Sequence, residues 1–173
     1  MLLSPAVLSG MADLARHRPA VVRVLVVDDY EPFRRFVCTT LERKPEFRLI
    51  GIALDGLEAV QKAEELQPDL ILLDIGLPRL KGLEAALRIT RLVPGATILF
   101  ISQNKDPDVV AEALGKGAGG FVRKQHANRE LLPAIEAALR GDHFVSEGLM
   151  SESELWLLYQ PALLCSTGFH CPR

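Results

Sequence analysis

Cysteine is scarce in this sequence, and the three cysteines present do not suggest a metal site. Cys38, Cys165 and Cys171 are widely separated, and none forms a C-x-x-C pair. The four histidines are scattered without ligand spacing, which argues against a zinc site. We predict that Cys38 is buried and that the other two are thiols without a structural role.

Long apolar runs and a strong net charge are also absent. The sequence has no stretch of about 18 apolar residues, so we predict no membrane span. The apolar opening segment is short, is broken by Ser4-Pro5 and follows no basic residue, which argues against a signal peptide and favours a cytoplasmic protein. The formal net charge of -2 provides no overall attraction to nucleic acid or to an anionic membrane.

The composition suits one well-buried domain, since 49% of the 173 residues are apolar and 24% are charged. Five short apolar runs alternate with five segments whose apolar residues recur at helical spacing. The predicted strands are 24–27, 47–53, 70–73, 97–101 and 120–122, and the predicted helices are 33–41, 57–66, 83–92, 109–114 and 131–139. This alternation predicts an α/β fold, with a doubly wound parallel sheet covered by helices on both faces.

The limits of the alternation predict three regions. Residues 1–21 form a flexible leader, residues 22–140 form the domain, and residues 141–173 form a tail with room for one short apolar helix around 155–164. Within the domain, the second strand is less apolar and is expected near a sheet edge. Asp106 is expected to cap the fourth helix, because Pro107 suits its first position.

Polar residues follow four of the five predicted strands. Asp28 and Asp29 follow the first strand, Asp74 follows the third, Ser102 follows the fourth, and Arg123 with Lys124 follows the fifth. In an open parallel sheet, ligands bind outside the carboxyl ends of the strands. We therefore expect these side chains to share one site at that edge.

Three carboxylates in one pocket repel one another, which raises their affinity for protons. A divalent cation resolves that conflict, and Mg²⁺ suits one or two carboxylates combined with a phosphate. The Lys124 ammonium and the Ser102 hydroxyl are suited to phosphate oxygens. A carboxylate is also able to act as a nucleophile and form an aspartyl-phosphate.

These residues stand in four segments that together resemble the receiver domains of response regulators, which are CheY-like domains. The segments are Val26-Val27-Asp28-Asp29, Leu72-Leu73-Asp74-Ile75-Gly76-Leu77-Pro78, Phe100-Ile101-Ser102 and Gly120-Phe121-Val122-Arg123-Lys124. The resemblance covers residues 22–145, and within the family the sequence looks most like receivers of NarL/LuxR-type regulators. It implies a flavodoxin-like sheet of five strands in the order 2-1-3-4-5.

The resemblance also implies roles for individual residues. Asp74 would accept a phosphoryl group from a phosphohistidine, on a sensor histidine kinase or a phosphotransfer protein. Asp29 would bind Mg²⁺ directly, Asp28 would act largely through water, and Gly76 would offer its backbone carbonyl to the metal. Ser102 and Lys124 would hold the phosphoryl oxygens, and Phe121 would be the rotating aromatic switch residue.

Three positions depart from the common family pattern. Gln103 follows Ser102 where a small residue is frequent, and Gln125 follows Lys124 where a proline is common. Gly76 has no side chain to place over the acceptor. Gln103 bears on access to the phosphoryl group, Gln125 on whether the peptide bond after Lys124 is cis, and Gly76 on the rate of autodephosphorylation.

Each candidate residue also has a simpler structural interpretation. Asp28 and Asp29 would then form a solvated turn or a helix cap, and Asp74 would be a loop residue. Ser102 would only approach a helix, Lys124 would be an ordinary surface lysine, and Phe121 would be a core residue. The coincidence of all these residues at one sheet edge favours the site.

The segment from Gly115 to Gly120 satisfies G-x-G-x-x-G, a dinucleotide-binding fingerprint. That fingerprint requires a preceding strand and a following helix, so that phosphate meets the helix N-terminus. Here a predicted helix precedes it and a predicted strand follows. We therefore predict a helix end and a tight turn.

Regulators of this type commonly carry a DNA-binding domain after the receiver, but the tail does not fit one. Residues 141–173 contain four acidic residues and a single basic one, Arg173. A recognition helix needs basic contacts to phosphates. We therefore expect no direct nucleic-acid contact, and an output through a downstream protein or a homodimer.

Two further hypotheses belong to other functional classes. A pseudo-receiver would use the same fold as a binding module that is independent of phosphorylation. An aspartate-nucleophile phosphatase would need a second aspartate two residues after the nucleophile, where this chain has Gly76. We therefore expect a phosphoryl acceptor and not a conventional enzyme.

Overall fold

The computed structural model describes residues 21–104 and 106–150. Six strands form one parallel sheet in the order β2-β1-β3-β4-β5-β6. The strands are β1 (Val22–Val27), β2 (Phe47–Ala53), β3 (Leu70–Leu73), β4 (Thr97–Ser102), β5 (Gly120–Arg123) and β6 (Phe144–Val145). The predicted fold class and the order of the first five strands are confirmed. All of the predicted leader except Val21, and the predicted helix around 155–164, lie outside the described residues.

In the described residues, five α-helices cover the two faces of the sheet, and a short 3-10 helix (Lys124–His126) follows β5. The five α-helices are α1 (Glu31–Glu42), α2 (Gly56–Leu66), α3 (Gly82–Leu92), α4 (Pro107–Gly115) and α5 (Ala127–Arg140). α1 and α5 pack on one face, and their buried residues include Val37 and Ile135. The other three helices pack on the opposite face, through residues such as Ala59, Ile89 and Val110. The sheet is therefore doubly wound, as predicted.

Burial along the strands follows from their place in the sheet. Every residue of β3 is buried, because helices cover both faces of this central strand. β2 lies at an edge and is only partly buried, as its weaker apolar pattern predicted. Among the described residues, no helix is long and apolar enough to cross a bilayer.

The helix ends agree with the local sequence signals. Asp106 caps α4 by accepting a hydrogen bond from the amide of Asp108 at 3.0 Å. α4 ends at Gly115, Gly117 has a φ of +84°, and β5 begins at Gly120. The G-x-G-x-x-G segment is therefore the turn between a helix and a strand, as predicted.

Two local expectations need adjustment. Cys38 is half-buried and not buried, because it lies at the margin of the buried stripe that Val37 and Leu41 form on α1. Pro133 lies in the interior of α5, which begins earlier than predicted, at Ala127, and continues through the proline to Arg140.

The sixth strand was not predicted, and the domain boundary expected after residue 140 leaves it out. Phe144 pairs with Gly120, where a Cβ atom would lie only 2.4 Å from the Phe144 carbonyl oxygen. Glycine at this position therefore permits the close approach of β6. The buried Ser146 hydroxyl accepts a hydrogen bond from the amide of Arg123 at 2.8 Å and donates one to the Glu130 carboxylate.

The Ser146 hydroxyl should contribute measurably to stability. We expect Ser146→Ala to lower the free energy of unfolding by about 1–3 kcal/mol, because a buried amide and a carboxylate lose their shared partner. Urea unfolding followed by circular dichroism measures the change. Thr90→Ala is the control, because the Thr90 hydroxyl only donates to the Ala86 carbonyl within its own helix. Equal losses in the two variants would contradict the role of Ser146 in attaching β6.

Candidate functional site

The predicted polar residues meet at the carboxyl edge of the sheet. They follow or end four strands, β1, β3, β4 and β5, and parallel pairing places these four strand ends side by side. An open cleft of about 390 Å³ lies at this edge, and its lining includes Asp29, Asp74, Gly76, Ser102 and Lys124. The short apolar strands therefore bring together side chains that are distant in the sequence.

Lys124 forms the centre of the site. Its Nζ lies 2.7 Å from Oδ2 of Asp28 and 2.7 Å from Oδ2 of Asp74. The side chains of Lys124, Asp28 and Asp74 are only 7%, 4% and 8% exposed. Removing one partner of a buried ion pair typically costs about 3–5 kcal/mol, because the remaining charge is left without compensation. The ammonium is thus held between two carboxylates that have little access to water.

Burial and charge act against each other on the ionisation of this cluster. Burial alone would lower the pKa of Lys124, but the hydrogen bonds and charges of Asp28 and Asp74 outweigh it and raise that pKa. Burial raises the pKa of Asp28, although the Lys124 ammonium and the Tyr30 amide act in the opposite direction. The ammonium therefore stays charged, while Asp28 is incompletely compensated and would gain from further positive charge.

Three carboxylates converge beside the ammonium. Asp28, Asp29 and Asp74 each offer one oxygen, and these oxygens lie within 4.8 Å of one another. Asp29 is exposed, whereas the other two are buried, so the cluster opens to solvent on the side of Asp29. Oxygen ligands with excess negative charge at an open position fit Mg²⁺, which retains several waters when bound.

Gly76 leaves the approach to Asp74 open. Its amide donates to Oδ1 of Asp74 at 3.2 Å, which orients the carboxylate. A Cβ atom at Gly76 would lie 3.9 Å from both carboxylate oxygens of Asp74. Because glycine has no side chain there, nothing from this residue covers the carboxylate.

Ser102 is buried at the end of β4 and lines the same cleft. Its Oγ accepts a hydrogen bond from the amide of Asn104 at 3.1 Å, which leaves the hydroxyl proton available to a ligand. Gln103 and Asn104 also line the cleft. The peptide bond between Lys124 and Gln125 is trans.

Phe121 lies away from the cleft. It is fully buried in the core cluster beneath α2, α3 and α4, and it pairs with Phe100 on β4 and Val145 on β6. Its surroundings are those of a core residue on β5, three positions before Lys124, which directly follows that strand.

Sequence reasoning missed two aromatic residues of the site. The Phe33 ring lies under Lys124, with Nζ 4.9 Å from the ring centroid, a distance at which a cation and a ring attract each other. Tyr30 lines the cleft, and its amide donates to Oδ1 of Asp28 at 2.8 Å. The only sequence signal for Phe33 was its place in the periodicity of α1, and that signal predicts burial without naming a partner.

Known proteins agree with this architecture. The sequence matches the family described as "Response regulator receiver domain" over residues 24–136. It is 40% identical over 126 residues to the protein-glutamate methylesterase/protein-glutamine glutaminase of Thermotoga maritima, covering 69% of this chain and 37% of that protein. It is 33% identical over 137 residues to the nitrate/nitrite response regulator protein NarL of Escherichia coli strain K12, covering 79% of this chain and 62% of NarL.

A solved structure shows the same fold. The response regulator domain of Thermotoga maritima CheB superposes with a TM-score of 0.64 at 34% identity, covering 69% of this chain and 97% of that one. The chain spans under two thirds of the length of each of the two relatives, so the match concerns one domain of them. From the family match over more than half of its length, the chain belongs to the response regulator receiver family.

Proposed function

We propose that this chain is a phosphoaccepting receiver of two-component signal transduction, with Asp74 as the acceptor. The observation that carries the proposal is the Lys124 ammonium, held 2.7 Å from both Asp28 and Asp74 beside an open cleft. Burying a lysine with two carboxylates costs hydration energy, and ionisable groups held in such an environment beside a cleft are frequent at functional sites. The Lys124 ammonium would hold an incoming phosphoryl group against Asp74.

The chemistry is a phosphoryl transfer from nitrogen to oxygen. An Asp74 carboxylate oxygen attacks phosphorus, the P–N bond of the donor phosphohistidine breaks, and the imidazole nitrogen keeps the bonding electron pair and takes up a proton. Lys124 and the Ser102 hydroxyl contact the phosphoryl oxygens during this transfer. Such a reaction depends mainly on positioning and on charge neutralisation.

The carboxylate cluster would hold Mg²⁺ for this reaction. Asp29 would bind the metal directly, Asp28 largely through water, and Asp74 and the Gly76 carbonyl would complete the protein ligands. Bound Mg²⁺ supplies positive charge that offsets the repulsion between the phosphoryl group and the carboxylates.

The donor would be a sensor histidine kinase or a phosphotransfer protein in the cytoplasm, and the output would be a protein contact. Ser102 and Phe121 would act as the switch, with the ring of Phe121 changing position when Ser102 engages the phosphoryl group. A downstream protein or a second copy of the chain would read that change. The segment 141–173 has four acidic residues and one basic residue. It would therefore not attract nucleic acid or an anionic membrane as the partner.

Phosphorylation should depend on Asp74. Incubated with Mg²⁺ and acetyl phosphate, the wild-type protein should gain the mass of one phosphoryl group, and Asp74→Asn should gain none, because the amide is not a nucleophile. Intact-protein mass spectrometry measures the gain. Asp108→Asn, which alters an exposed aspartate in the first turn of α4, should behave like the wild type.

Two results would contradict this assignment. A mass gain that persists in Asp74→Asn would place the acceptor elsewhere. A wild-type protein that gains no mass would favour the pseudo-receiver, in which the same fold binds partners without phosphorylation.

Metal binding should stabilise the fold through the exposed carboxylate. At a concentration 100-fold above the dissociation constant, Mg²⁺ should add about 2.7 kcal/mol to the free energy of unfolding. Asp29→Asn should lose most of this increment, yet change the metal-free stability by only about 0.5 kcal/mol, because Asp29 is exposed. Urea unfolding with and without Mg²⁺, at constant ionic strength, measures both quantities.

Asp142→Asn is the matched control for the metal experiment. Asp142 is exposed and precedes β6, at the opposite end of the sheet from the site. It should retain the full Mg²⁺ increment. If Mg²⁺ raises the free energy of unfolding equally in the two variants, the metal stabilises the protein by non-specific screening of surface charges and not by binding at Asp29.

A further inference from the structure

The loop that leaves Asp74 contains an unusual backbone conformation at Arg79. Its φ is +64°, in the left-handed region that favours glycine. The amide of Leu80 donates to the Pro78 carbonyl at 2.7 Å, so Arg79 is the central residue of a tight three-residue turn. Turns of this kind with a positive φ are rare and strained. A non-glycine residue persists there only when its surroundings hold it.

The Arg79 side chain supplies a contact that glycine would lack. Its Nη1 lies 2.8 Å from Oδ2 of Asp55, which caps α2 by accepting hydrogen bonds from the amides of Leu57 and Glu58. The Glu58 amide, more than any other group, holds the pKa of Asp55 below its usual range, and the Leu57 amide and the Arg79 guanidinium add to the effect against partial burial. Arg79 thus connects the loop to the N-terminus of α2 through a charged carboxylate.

Two glycines bring the same loop against its neighbours. A Cβ atom at Gly56 would lie 2.0 Å from the Leu80 carbonyl oxygen, and one at Gly82 would lie 2.0 Å from the Asp74 carbonyl oxygen. The amide of Gly82 also donates to the Ile75 carbonyl at 3.0 Å. The two ends of the loop formed by residues 74–82 therefore contact each other, through Gly82 and Asp74. The middle of the loop, at Leu80, packs against Gly56 at the start of α2.

We propose that Arg79 is a positioning residue, whose ion pair with Asp55 holds the loop so that Asp74 and Gly76 keep the geometry needed by the metal and the phosphoryl donor. This inference rests on the proposed function of Asp74. It explains why this turn carries a long charged side chain at a φ that glycine would adopt without strain.

Substitution of Arg79 should change the geometry of the loop without lowering the global stability of the fold. Arg79 is 62% exposed, so its ion pair contributes little to global stability. Arg79→Gly removes the ion pair but also relieves the backbone strain. Its melting temperature should therefore equal or exceed that of the wild type, while the loop loses its attachment to α2.

The test combines hydrogen exchange with metal binding. In the metal-free protein, Arg79→Gly and Asp55→Asn should both speed exchange of the Leu80 and Gly82 amides several-fold. Asparagine keeps the helix cap and loses only the charge, so Asp55→Asn separates the ion pair from glycine's own backbone freedom. Both variants should weaken Mg²⁺ binding about tenfold and slow phosphorylation by acetyl phosphate by a similar factor. Arg79→Lys keeps the cation and should therefore retain most of the Mg²⁺ affinity and most of the phosphorylation rate.

Arg88→Ala is the matched control. Arg88 forms an exposed ion pair of similar length, 2.7 Å, with Glu84 on α3, outside the loop. It should leave the exchange of the loop amides, the Mg²⁺ affinity and the phosphorylation rate unchanged.

Four outcomes decide between the possibilities. Faster exchange with weaker Mg²⁺ binding and slower phosphorylation supports the positioning role. Unchanged exchange in Arg79→Gly and Asp55→Asn overturns it, as does faster exchange with unchanged Mg²⁺ affinity and phosphorylation. A wild-type protein that accepts no phosphoryl group overturns the proposed function and the positioning role together, which distinguishes that failure from one seen only in the variants.

Discussion

The buried contact of Lys124 with Asp28 and Asp74 is the interaction on which the site depends. An ammonium and two carboxylates have been removed from water, and their mutual attraction, together with the amides of Tyr30 and Gly76 and the ring of Phe33, offsets the lost hydration. With Asp29 added, the cluster carries more negative charge than one ammonium balances. Additional positive charge would offset this excess, and under the proposed function Mg²⁺ and a phosphoryl group enter through the adjacent cleft.

The parallel sheet makes this cluster possible. β1, β3, β4 and β5 end at the same edge, so residues separated by nearly a hundred positions in the chain become neighbours. Their apolar side chains are buried by helices on both faces, and the polar groups of the site lie where the strands end. Glycines at Gly56, Gly82 and Gly120 then allow backbone contacts that a Cβ atom would prevent. The precision of the site thus depends on close packing around it as much as on its own side chains.

The strand that leads to Lys124 also contacts the last described part of the chain. Arg123, directly before Lys124, donates its amide to Ser146, and Phe121 pairs with Val145. Ser146 in turn donates to Glu130 on α5. A displacement of β5 at the site would therefore disturb the hydrogen bonds and strand pairing of residues 144–146, which follow α5.

The sequence by itself determined the five core strands, their helices, the capping of α4 by Asp106 and the set of polar residues at the strand ends. These features depend on local patterns, namely apolar runs, helical spacing and residues that favour caps and turns, and their order along the chain was enough to indicate the receiver family. Only the tertiary structure decided the sixth strand, the burial of Asp28 and Asp74 around Lys124, the ring of Phe33 beneath the ammonium and the ion pair between Arg79 and Asp55. β6 has two residues, too few for any periodic signal, and it pairs with β5, where Gly120 permits the close approach and Ser146 accepts a hydrogen bond from the Arg123 amide. The other three features are contacts between residues distant in sequence. The sequence predicted that Asp28, Asp74 and Lys124 share one sheet edge, but it gave no signal for their burial and direct contact, for the ring of Phe33 or for the Arg79–Asp55 ion pair, because these depend on how separate elements pack.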